Sequence, residues 1–497
     1  MTFLRHASFL SEVRMNKPKK VLLITPPYHA GVVESAGVWL NVAFVYLAGS
    51  LRQAGHQPVI YDAMSAWHTY DDIRKRIEAE KPDVVATTAF TAGIVDALKV
   101  LKLAKEIDPR ITTIIGNVHP TYCYDEILTA PGNPVDYIVM GEGEHTLVEL
   151  MDCLSNDGDP AKVRSLAYSR DGIVQVTPPR PFIHDLDTLP LAWDLVDWKL
   201  YTYKPMKNSV LAIVSTSRGC NQKCNFCSQQ LFWKRNWRGR SAENVVAELE
   251  HLRDAYGVDV VMFADETPTL DGKRWERLLD LLIERKVGTK ILMETRVDDI
   301  IRDEHIMDKY RLANVDHIYL GVEATTQATL DSFNKNIKVE DSKRALDLIN
   351  AQDIVTETSF VLGMPDDTPE SMAKTLELAK FYNPDMAFFL AIAPWPYSEI
   401  YPQLKDYIEV KDYSRYNLVE PVIKPKNMTL QEVQDWLGKA SREFYTHKMN
   451  TLDTMTPKKR DFMIKVIHII ATSSYLAKTM KGTMPEDIKK LLHDLKV

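Results

Sequence analysis

The sequence predicts an α/β protein with an N-terminal doubly wound parallel sheet, a partial (β/α)6 barrel and a C-terminal helical region. Two separate series of short apolar runs alternate with helix-like segments, and a last stretch has helical patterns only. Strands that alternate with helices of this length form parallel sheets covered by those helices. At 497 residues the chain is too long for a single core, so several domains are expected.

The first series follows a polar tail at residues 1–18 and occupies residues 19–155. Its strands are expected at Lys20–Thr25, Pro58–Asp62, Val84–Phe90, Thr112–Asn117 and Tyr137–Met140, with helices that include Asn41–Ala54 and Gly93–Ile107. Doubly wound sheets bind their ligands beyond the carboxyl ends of the strands. Polar residues and glycines gather at these ends, which predicts a ligand site along this edge.

Residues 156–207 form a connector with a hairpin predicted around the Asp171-Gly172 turn. The second series occupies residues 208–425. Its strands are expected at Leu211–Ser217, Val258–Ala264, Lys290–Thr295, His317–Val322, Thr356–Leu362 and Met386–Ala393. Six strand–helix units predict a partial barrel, whose chemistry belongs at the carboxyl ends of the strands. Residues 426–497 are predicted to be helical, beginning at the cap-like segment Thr429–Glu432.

Composition limits the partners and the location of the protein. The formal net charge is −7 without a concentrated charged block, so nucleic acid is not expected as a partner. The few cysteines form no disulfide framework and the N-terminus has no cleavage signal, which predicts a reducing cytoplasm. No segment reaches the ~18 apolar residues of a membrane span. Phe462–Ala477 comes nearest and is interpreted as a buried helix, with a membrane-surface helix as the alternative.

Cys220, Cys224 and Cys227 form a Cys-Xaa₃-Cys-Xaa₂-Cys motif directly after the first strand of the second series. A [4Fe-4S] cluster normally takes four thiolates, so three would leave one iron open to a small molecule. An open coordination site indicates catalysis rather than electron storage. Phe226 inside the loop suits a cofactor pocket. The alternatives are a zinc site that lacks a fourth ligand, or three thiols buried in a core.

The cysteine motif and the six-unit barrel resemble the radical S-adenosylmethionine enzymes. The resemblance implies that the open iron binds the methionine part of S-adenosylmethionine, which is cleaved to a 5′-deoxyadenosyl radical. Polar groups and a glycine stand at strand ends where that family contacts this cofactor: Asp265, Glu266, Arg296, Glu323 and Gly363. A capping or salt-bridging role is the alternative for each of them.

The first sheet resembles the cobalamin-binding domain that is often fused to such barrels. The resemblance assigns these residues to the cobalamin site: Tyr28, His29, Thr87, Thr88, Gly116, Asn117, His119, Gly141, Glu142, Gly143 and Glu144. The chain lacks the Asp-Xaa-His-Xaa-Xaa-Gly motif with which methionine-synthase-like domains bind cobalt from below. Hydrogen bonding within loops is therefore preferred over cobalt ligation for His29 and His119.

A closer resemblance, over roughly residues 20–450, is to the anaerobic magnesium-protoporphyrin IX monomethyl ester oxidative cyclases. The segments that carry it include Tyr28–Trp39, Cys227–Trp233, Phe333–Lys335, Ala393–Pro396 and Asp412–Asn417. It implies that an ester side chain of a magnesium porphyrin is oxidised and closed into a fifth ring. It also implies an external electron donor such as flavodoxin or ferredoxin.

A flat macrocycle that bears carboxylates needs aromatic surfaces and cationic groups around it. The candidates for this role are Phe232, Trp233, Arg235, Trp237, Trp395 and Tyr397. A solvated basic loop is the alternative for the segment Phe232–Arg240. Two other functions stay open: a cobalamin-dependent radical methyltransferase that acts on another substrate, and a sensor that binds a corrinoid or porphyrin without catalysis.

Overall fold

The computed structural model describes residues 17–29 and 39–472. Most of the predicted N-terminal tail and most of the segment Tyr28–Trp39 lie outside these ranges, as does the end of the predicted helix Phe462–Ala477. Within the described ranges, no helix combines the length and the apolar character that crossing a bilayer requires.

The first sheet contains seven strands in the order β2-β1-β3-β4-β5-β6-β7. They are β1 (Lys20–Thr25), β2 (Gln57–Asp62), β3 (Val84–Thr88), β4 (Thr112–Gly116), β5 (Tyr137–Val139), β6 (Leu166–Arg170) and β7 (Ile173–Val176). The first five strands pair in parallel, as predicted. The hairpin β6-β7 differs from the expectation, because β6 pairs antiparallel with β5 and so extends this sheet rather than staying within the connector.

Helices cover both faces of the first sheet. They are α1 (Val42–Gln53), α2 (Tyr70–Glu80), α3 (Ile94–Ile107), α4 (Val118–Tyr122), α5 (Tyr124–Thr129) and α6 (Glu144–Ser155). Alternate residues of β1 enter two different cores: Leu22 packs with residues of α2 and α3, whereas Leu23 packs with residues of α1 and α6. This alternation follows from the two-residue period of a strand and produces the predicted doubly wound architecture.

The second sheet contains six parallel strands in the order β15-β14-β13-β12-β11-β8, so β8 and β15 are its two edges. Its strands are β8 (Leu211–Val214), β11 (Val260–Phe263), β12 (Lys290–Arg296), β13 (Val315–Glu323), β14 (Val355–Leu362) and β15 (Met386–Ala391). A two-residue ribbon of β9 (Ser217–Arg218) and β10 (Arg238–Gly239) stands apart from it. The arrangement confirms the predicted partial barrel.

Helices follow the barrel strands, and those that share the main core pack on the outer face of the barrel. They are α7 (Gln229–Phe232), α8 (Ala242–Tyr256), α9 (Gly272–Glu284), α10 (Val297–Arg302), α11 (Met307–Leu312), α12 (Gln327–Ser332), α13 (Val339–Ala351), α14 (Pro369–Tyr382) and α15 (Tyr401–Leu404). Short 3-10 helices connect several elements. Phe263 and Phe360 point outward to Trp275 of α9 and Tyr382 of α14, so the alternate residues of those strands point into the barrel.

The C-terminal helices are α16 (Leu430–Asn450), which packs along β15 and α14, and α17 (Pro457–Thr472), which lies at the amino end of the barrel. Thr429 and Glu432 form the expected capping box at the start of α16. Lys459 of α17 bonds Asp385 beside the start of β15 at 2.7 Å, and the buried Lys448 of α16 bonds the amide oxygen of Asn383 at 2.7 Å. Phe462, at 8% exposure, packs in the main core, which agrees with the buried interpretation of this segment.

Lys448 should make stability depend on pH. Burial lowers the pKa of Lys448 from its usual 10.5 to about 8. The unfolded chain therefore binds this proton more tightly than the folded protein does. The difference lowers the free energy of unfolding below pH 8, and this loss becomes smaller as the pH rises from 8 towards 10.5. Between about pH 7 and about pH 9.5, we expect the free energy of unfolding of the wild type to rise by about 2 kcal/mol relative to that of Lys448→Met, as measured by urea unfolding.

Lys439→Met on the same helix is the control, since that side chain is 47% exposed. Its stability difference from wild type should be the same at both pH values. A difference for Lys448→Met that does not change with pH would contradict the prediction.

Candidate active site

The three cysteines lie in one loop, residues 219–237, which we call the cysteine loop. It leaves β9 and returns to β10, and these two short strands pair with each other in antiparallel direction at the base of the loop. Gly219 begins it with φ +88°, and a Cβ atom there would lie 2.0 Å from the carbonyl oxygen of Asn236. Only glycine fits both the left-handed backbone and the close approach.

Asn225 anchors the middle of the cysteine loop to the carboxyl end of the barrel. Its amide N–H donates to the carbonyl of Phe333 at 3.0 Å, and its own carbonyl accepts from the N–H of Ile400 at 3.0 Å. Its side-chain Nδ2 donates to the carbonyl of Ser332 at 2.7 Å. Phe226 packs against Phe333 with ring centroids 4.9 Å apart. The sequence analysis assigned a role to Phe226 but missed Asn225.

The cysteine side chains are partly or fully buried, and the Thr267 hydroxyl donates to Sγ of Cys220 at 3.5 Å. Cys224 is 8% exposed, and Cys220 and Cys227 are half-buried. The backbone N–H of Gln229 lies 3.4 Å from Sγ of Cys227. Burial raises the pKa of the Cys227 thiol to about 12 and also raises that of Cys224. Such thiols become thiolates when a metal is bound, so three soft donors in one loop fit an iron–sulfur cluster.

In the part of the chain that the structure describes, no three His, Cys, Asp or Glu side chains converge as ligands of a single metal ion do. A cubic cluster does not require that convergence, because each cysteine binds a different iron atom at a separate corner. The spacing of the loop is therefore compatible with a cluster.

Positive charge faces the most buried cysteine. Arg296 at the end of β12 and Lys335 both act on Cys224 and oppose the effect of burial on its thiol pKa. Arg296 is held by Asp298 at 2.8 Å, and Lys335 by Glu323 at 2.8 Å. Glu323 itself has φ +65°, an unusual conformation for a residue other than glycine. These groups meet where a negatively charged cluster would lie.

Asp265 and Glu266 after β11 bind the base of the cysteine loop. Asp265 accepts from the backbone N–H of Thr216 at 2.7 Å and from the Ser217 hydroxyl at 2.9 Å. Glu266 accepts from the N–H of Gly219 at 3.0 Å and from the indole of Trp233. Both carboxylates thus have a positioning role here, and their contact with a bound nucleoside stays a prediction.

Gly363 follows β14 with φ +83°, and its N–H donates to Asp367 at 2.9 Å. A Cβ atom there would lie 3.2 Å from Val433 of α16. The position is at the carboxyl end of the barrel, as predicted, and it brings the backbone close to a C-terminal helix. Its contact with adenine stays a prediction.

The lumen of the barrel holds acidic groups that the sequence analysis did not single out. Glu294 of β12 is exposed, although it lies within a central strand, because its side chain points into the lumen. The strands that surround the lumen displace water from its carboxyl, and this desolvation raises the pKa of Glu294 to about 7; the carboxylates of Glu357, Glu266 and Glu323 add to the effect. Polar residues stand at every second position of β13 and β14, as at Tyr319 and Ser359. This pattern could have predicted a polar lumen from the sequence.

In the first domain, the predicted cobalamin residues Thr87, Thr88, Gly116 and Asn117 cluster at the carboxyl edge of β3 and β4. The Thr87 hydroxyl donates to the carbonyl of Ile24 at 2.8 Å, and the Asn117 amide donates to the Thr88 hydroxyl at 2.9 Å. A Cβ atom on Gly116 would lie 3.3 Å from the carbonyl of Val139.

Aromatic rings lie open at the same edge. Trp67 after β2 is 58% exposed, and Phe90 after β3 is 55% exposed. His29, which follows Tyr28 beyond β1, stacks on Trp67 with ring centroids 4.0 Å apart. Large apolar rings exposed at a ligand edge fit a flat corrinoid that would cover them.

His119 is buried in the junction between the domains. Its Nδ1 pairs with the Thr91 hydroxyl at 3.1 Å, and Thr91 pairs with the Tyr397 hydroxyl at 2.9 Å. Burial lowers the pKa of His119 to about 4, so the ring is neutral at physiological pH. Its contacts agree with the preferred interpretation of hydrogen bonding.

Of the candidate substrate residues, Phe232, Trp233, Trp395 and Tyr397 come together in one apolar cluster with residues of α4. We call this group the junction aromatics. Arg235 instead pairs with Glu399 at 2.6 Å on a more exposed surface.

Two groups of predicted residues do not belong to the apolar cluster of the junction aromatics. The indole N–H of Trp237 donates to the carbonyl of Thr267 at 3.0 Å. In the segment Gly141–Glu144, the carboxylates of Glu142 and Glu144 pair with arginines of β9 and β10. Gly141 has φ +71°, and a Cβ atom on Gly143 would lie 3.0 Å from Leu47.

Two family models match the chain. One is described as a B12 binding domain and matches residues 28–151. The other is described as the Radical SAM superfamily and matches residues 214–379. The first match covers β2 to β5 with the helices between them and the exposed aromatic edge, and the second covers the cysteine loop with most of the barrel.

Several curated proteins are similar over most of the chain. The anaerobic magnesium-protoporphyrin IX monomethyl ester cyclase of Rubrivivax gelatinosus is 39% identical over 435 residues, 86% of this chain and 78% of that protein. The cyclase of the same description from Cereibacter sphaeroides is 36% identical over 436 residues, which are 86% of this chain and 71% of that protein. An uncharacterized methyltransferase of Pyrococcus horikoshii is 31% identical over 436 residues, which are 86% of this chain and 93% of that protein.

Two solved structures share the fold. The radical S-adenosylmethionine methyltransferase TsrM from Kitasatospora setae, with tryptophan and aza-SAM bound, has a TM-score of 0.67 at 15% identity and covers 96% of this chain and 100% of that one. The cobalamin-dependent radical enzyme OxsB, with aqua-cobalamin and S-adenosylmethionine bound, has a TM-score of 0.65 at 16% identity, covering 97% and 76%.

Gly219→Ala should prevent correct assembly of the cluster. The added methyl would lie 2.0 Å from the Asn236 carbonyl and would push the start of the cysteine loop away from Glu266. We expect iron and sulfide bound after anaerobic reconstitution to fall severalfold below wild type. Gly172→Ala is the matched control, because Gly172 has φ +76° but nothing within 4 Å of the added atom. Equal losses in both variants would contradict the prediction.

Proposed function

Because the chain belongs to the cobalamin-binding radical S-adenosylmethionine enzymes, we propose that it is an anaerobic oxidative cyclase acting on magnesium-protoporphyrin IX monomethyl ester. The reaction oxidises the methyl-esterified propionate, with oxygen taken from water, and closes the fifth ring of a chlorophyll precursor. One observation carries this choice: similarity to two cyclases at 39% and 36% identity extends over 86% of the chain.

The cofactors are a [4Fe-4S] cluster, S-adenosylmethionine and cobalamin, and the described residues fit the first two at the cysteine loop. Cys220, Cys224 and Cys227 would hold three irons and leave the fourth for the methionine group. When bound, these groups supply a 5′-deoxyadenosyl radical that abstracts hydrogen from carbon. Arg296 and Lys335 place positive charge beside Cys224, which offsets the negative charge of bound thiolates.

The junction aromatics support a flat substrate at the interface of the two domains. Phe232 and Trp233 belong to the cysteine loop, Trp395 and Tyr397 follow β15, and the cluster packs against α4 of the first domain. Aromatic faces stack on a macrocycle, and the guanidinium of Arg235, which pairs with Glu399, is of the type that binds a propionate carboxylate. A substrate here would lie between the ligand edges of the two sheets.

A methyltransferase is the second candidate. It is favoured by the relative from Pyrococcus horikoshii, because the 31% identity covers 93% of a protein described as a methyltransferase. Both reactions would use the same cofactors. They differ in the fate of S-adenosylmethionine and in the mass of the product.

The reaction needs low-potential electrons from outside the chain. We propose that a carrier such as flavodoxin or ferredoxin supplies them. A reducing cytoplasm is the proposed location, because three of five cysteines are kept for a cluster.

Anaerobic turnover with product mass analysis tests the function. With magnesium-protoporphyrin IX monomethyl ester, cobalamin, a reductant and ¹⁸O-water, we expect a product that has gained one labelled oxygen and lost hydrogen. 5′-Deoxyadenosine should accumulate with it. A product that has gained a methyl group, formed together with S-adenosylhomocysteine, would show that the protein is a methyltransferase and not a cyclase. If the reduced protein with its cluster and cobalamin bound never cleaves S-adenosylmethionine, only the non-catalytic sensor remains as a function.

Cys224→Ala separates the two cofactor sites. The variant should lose cluster assembly and turnover entirely, since only two thiolates remain, while the first domain keeps its affinity for cobalamin. Iron content and the absorbance change on titration with hydroxocobalamin measure the two effects. Loss of cobalamin binding together with the cluster would show that the two sites are not separate.

A further inference from the structure

The first domain reaches the base of the cysteine loop through four charged side chains, which we call the interdomain latch: Glu142, Glu144, Arg218 and Arg238. Arg218 binds both carboxylates, with Nη1 2.9 Å from Oε1 of Glu142 and Nη2 2.6 Å from Oε1 of Glu144. Nη1 of Arg238 lies 3.0 Å from each oxygen of Glu142. Two carboxylates of one domain therefore bind two guanidinium groups of the other.

The latch binds both ends of the cysteine loop at once. Arg218 and Arg238 are direct partners in the ribbon β9-β10, which closes the base of the loop. Arg218 stands two residues before Cys220, the first cysteine. A shift of either carboxylate would therefore move the point from which the cysteine loop begins and ends.

The latch is buried and balanced in charge. The exposures of its side chains range from 5% for Glu142 to 11% for Arg218. The Arg218 guanidinium lies 4.8 Å from the ring centre of Tyr46 in α1, and that of Arg238 lies 4.7 Å from the ring of Phe182. Removing one partner of such a group leaves a buried charge without compensation, which is far more costly than losing an exposed ion pair.

Glu142 has no oxygen left for another ligand. Its Oε1 accepts from both arginines, and its Oε2 accepts from Arg238 and from the backbone N–H of Ile183 at 2.7 Å. Arg238 in turn donates to the carbonyl of Ile183 at 2.5 Å. The segment Gly141–Glu144 lies at the ligand edge of the first sheet, yet its two carboxylates are directed to the barrel.

We propose that Glu142 and Glu144 are positioning residues for the iron–sulfur cluster and its S-adenosylmethionine, acting through Arg218 and Arg238, and are not contacts of the corrinoid. The first domain thereby completes the S-adenosylmethionine site that the barrel carries. This inference rests on the cofactors of the proposed function and is independent of its substrate.

The test compares binding of the two cofactors in the full chain carrying a reconstituted cluster. In Glu142→Gln and Glu144→Gln we expect the dissociation constant of hydroxocobalamin to stay within about twofold of wild type. That of S-adenosylmethionine should rise about tenfold, because a charge-assisted hydrogen bond is lost at the base of its site. The spectral change of the reduced cluster on addition of S-adenosylmethionine, followed by electron paramagnetic resonance, measures the second constant.

Glu149→Gln is the matched control. Glu149 lies on α6 like Glu144, but it pairs with Arg180 of the connector and not with the cysteine loop. Both dissociation constants should stay at the wild-type value in this variant. If Glu142→Gln does not fold, Glu144→Gln carries the test, because Glu142 then still binds both arginines.

Arg218→Lys is the reciprocal variant, which keeps the charge but cannot bind two carboxylates with one planar group. It should weaken the binding of S-adenosylmethionine and leave the binding of hydroxocobalamin unchanged. Weaker cobalamin binding with unchanged S-adenosylmethionine binding would overturn the proposal, and so would equal loss of both or loss of neither. No porphyrin is needed, so a failure of cyclisation leaves this test unaffected, whereas a wild type that never binds S-adenosylmethionine would refute the proposed function itself.

Discussion

The geometry of the candidate active site depends on carboxylates that hold the base of an irregular loop. The cysteine loop has one short helix, so neighbouring turns of regular structure cannot fix its three thiols. Glu266 of the barrel binds its first N–H, while Glu142 of the other domain binds the arginines at its two ends. Charge-assisted bonds of this kind are short and directional, which suits a loop that must present three ligands to one cluster.

Charged groups of both signs surround the cysteine loop. Acidic groups stand behind the cysteine loop, where they bind backbone N–H groups, indole or guanidinium. Arg296 and Lys335 face Cys224, and so does Glu323, whose carboxylate raises the thiol pKa that the two cations lower. A cluster held by thiolates carries negative charge, so Arg296 and Lys335 would stabilise it, while Glu323 is compensated by its ion pair with Lys335.

The sequence predicted those parts of the structure that depend on local patterns. The first-sheet strands lie within two residues of their predicted bounds, and the cap at Thr429 is confirmed, because apolar runs and capping residues act over a few positions. The latch joins Glu142 to Arg218, 76 positions apart, and no local pattern reports such a pair. Glu142 was therefore assigned to cobalamin, and Asn225 and Glu294 received no role, since their importance depends on which elements the fold brings together.

The latch also explains why the two ligand edges share one space. Parallel sheets offer ligand sites at their carboxyl edges, and nothing in that rule orients one sheet toward another. Here the loop after β5 is tied to the loop after β8, so both edges open toward the same junction. The junction aromatics fill the gap between them, and Tyr397 hydrogen-bonds Thr91 across it. These contacts bring the cysteine loop, the end of β15 and α4 of the first domain into one apolar cluster.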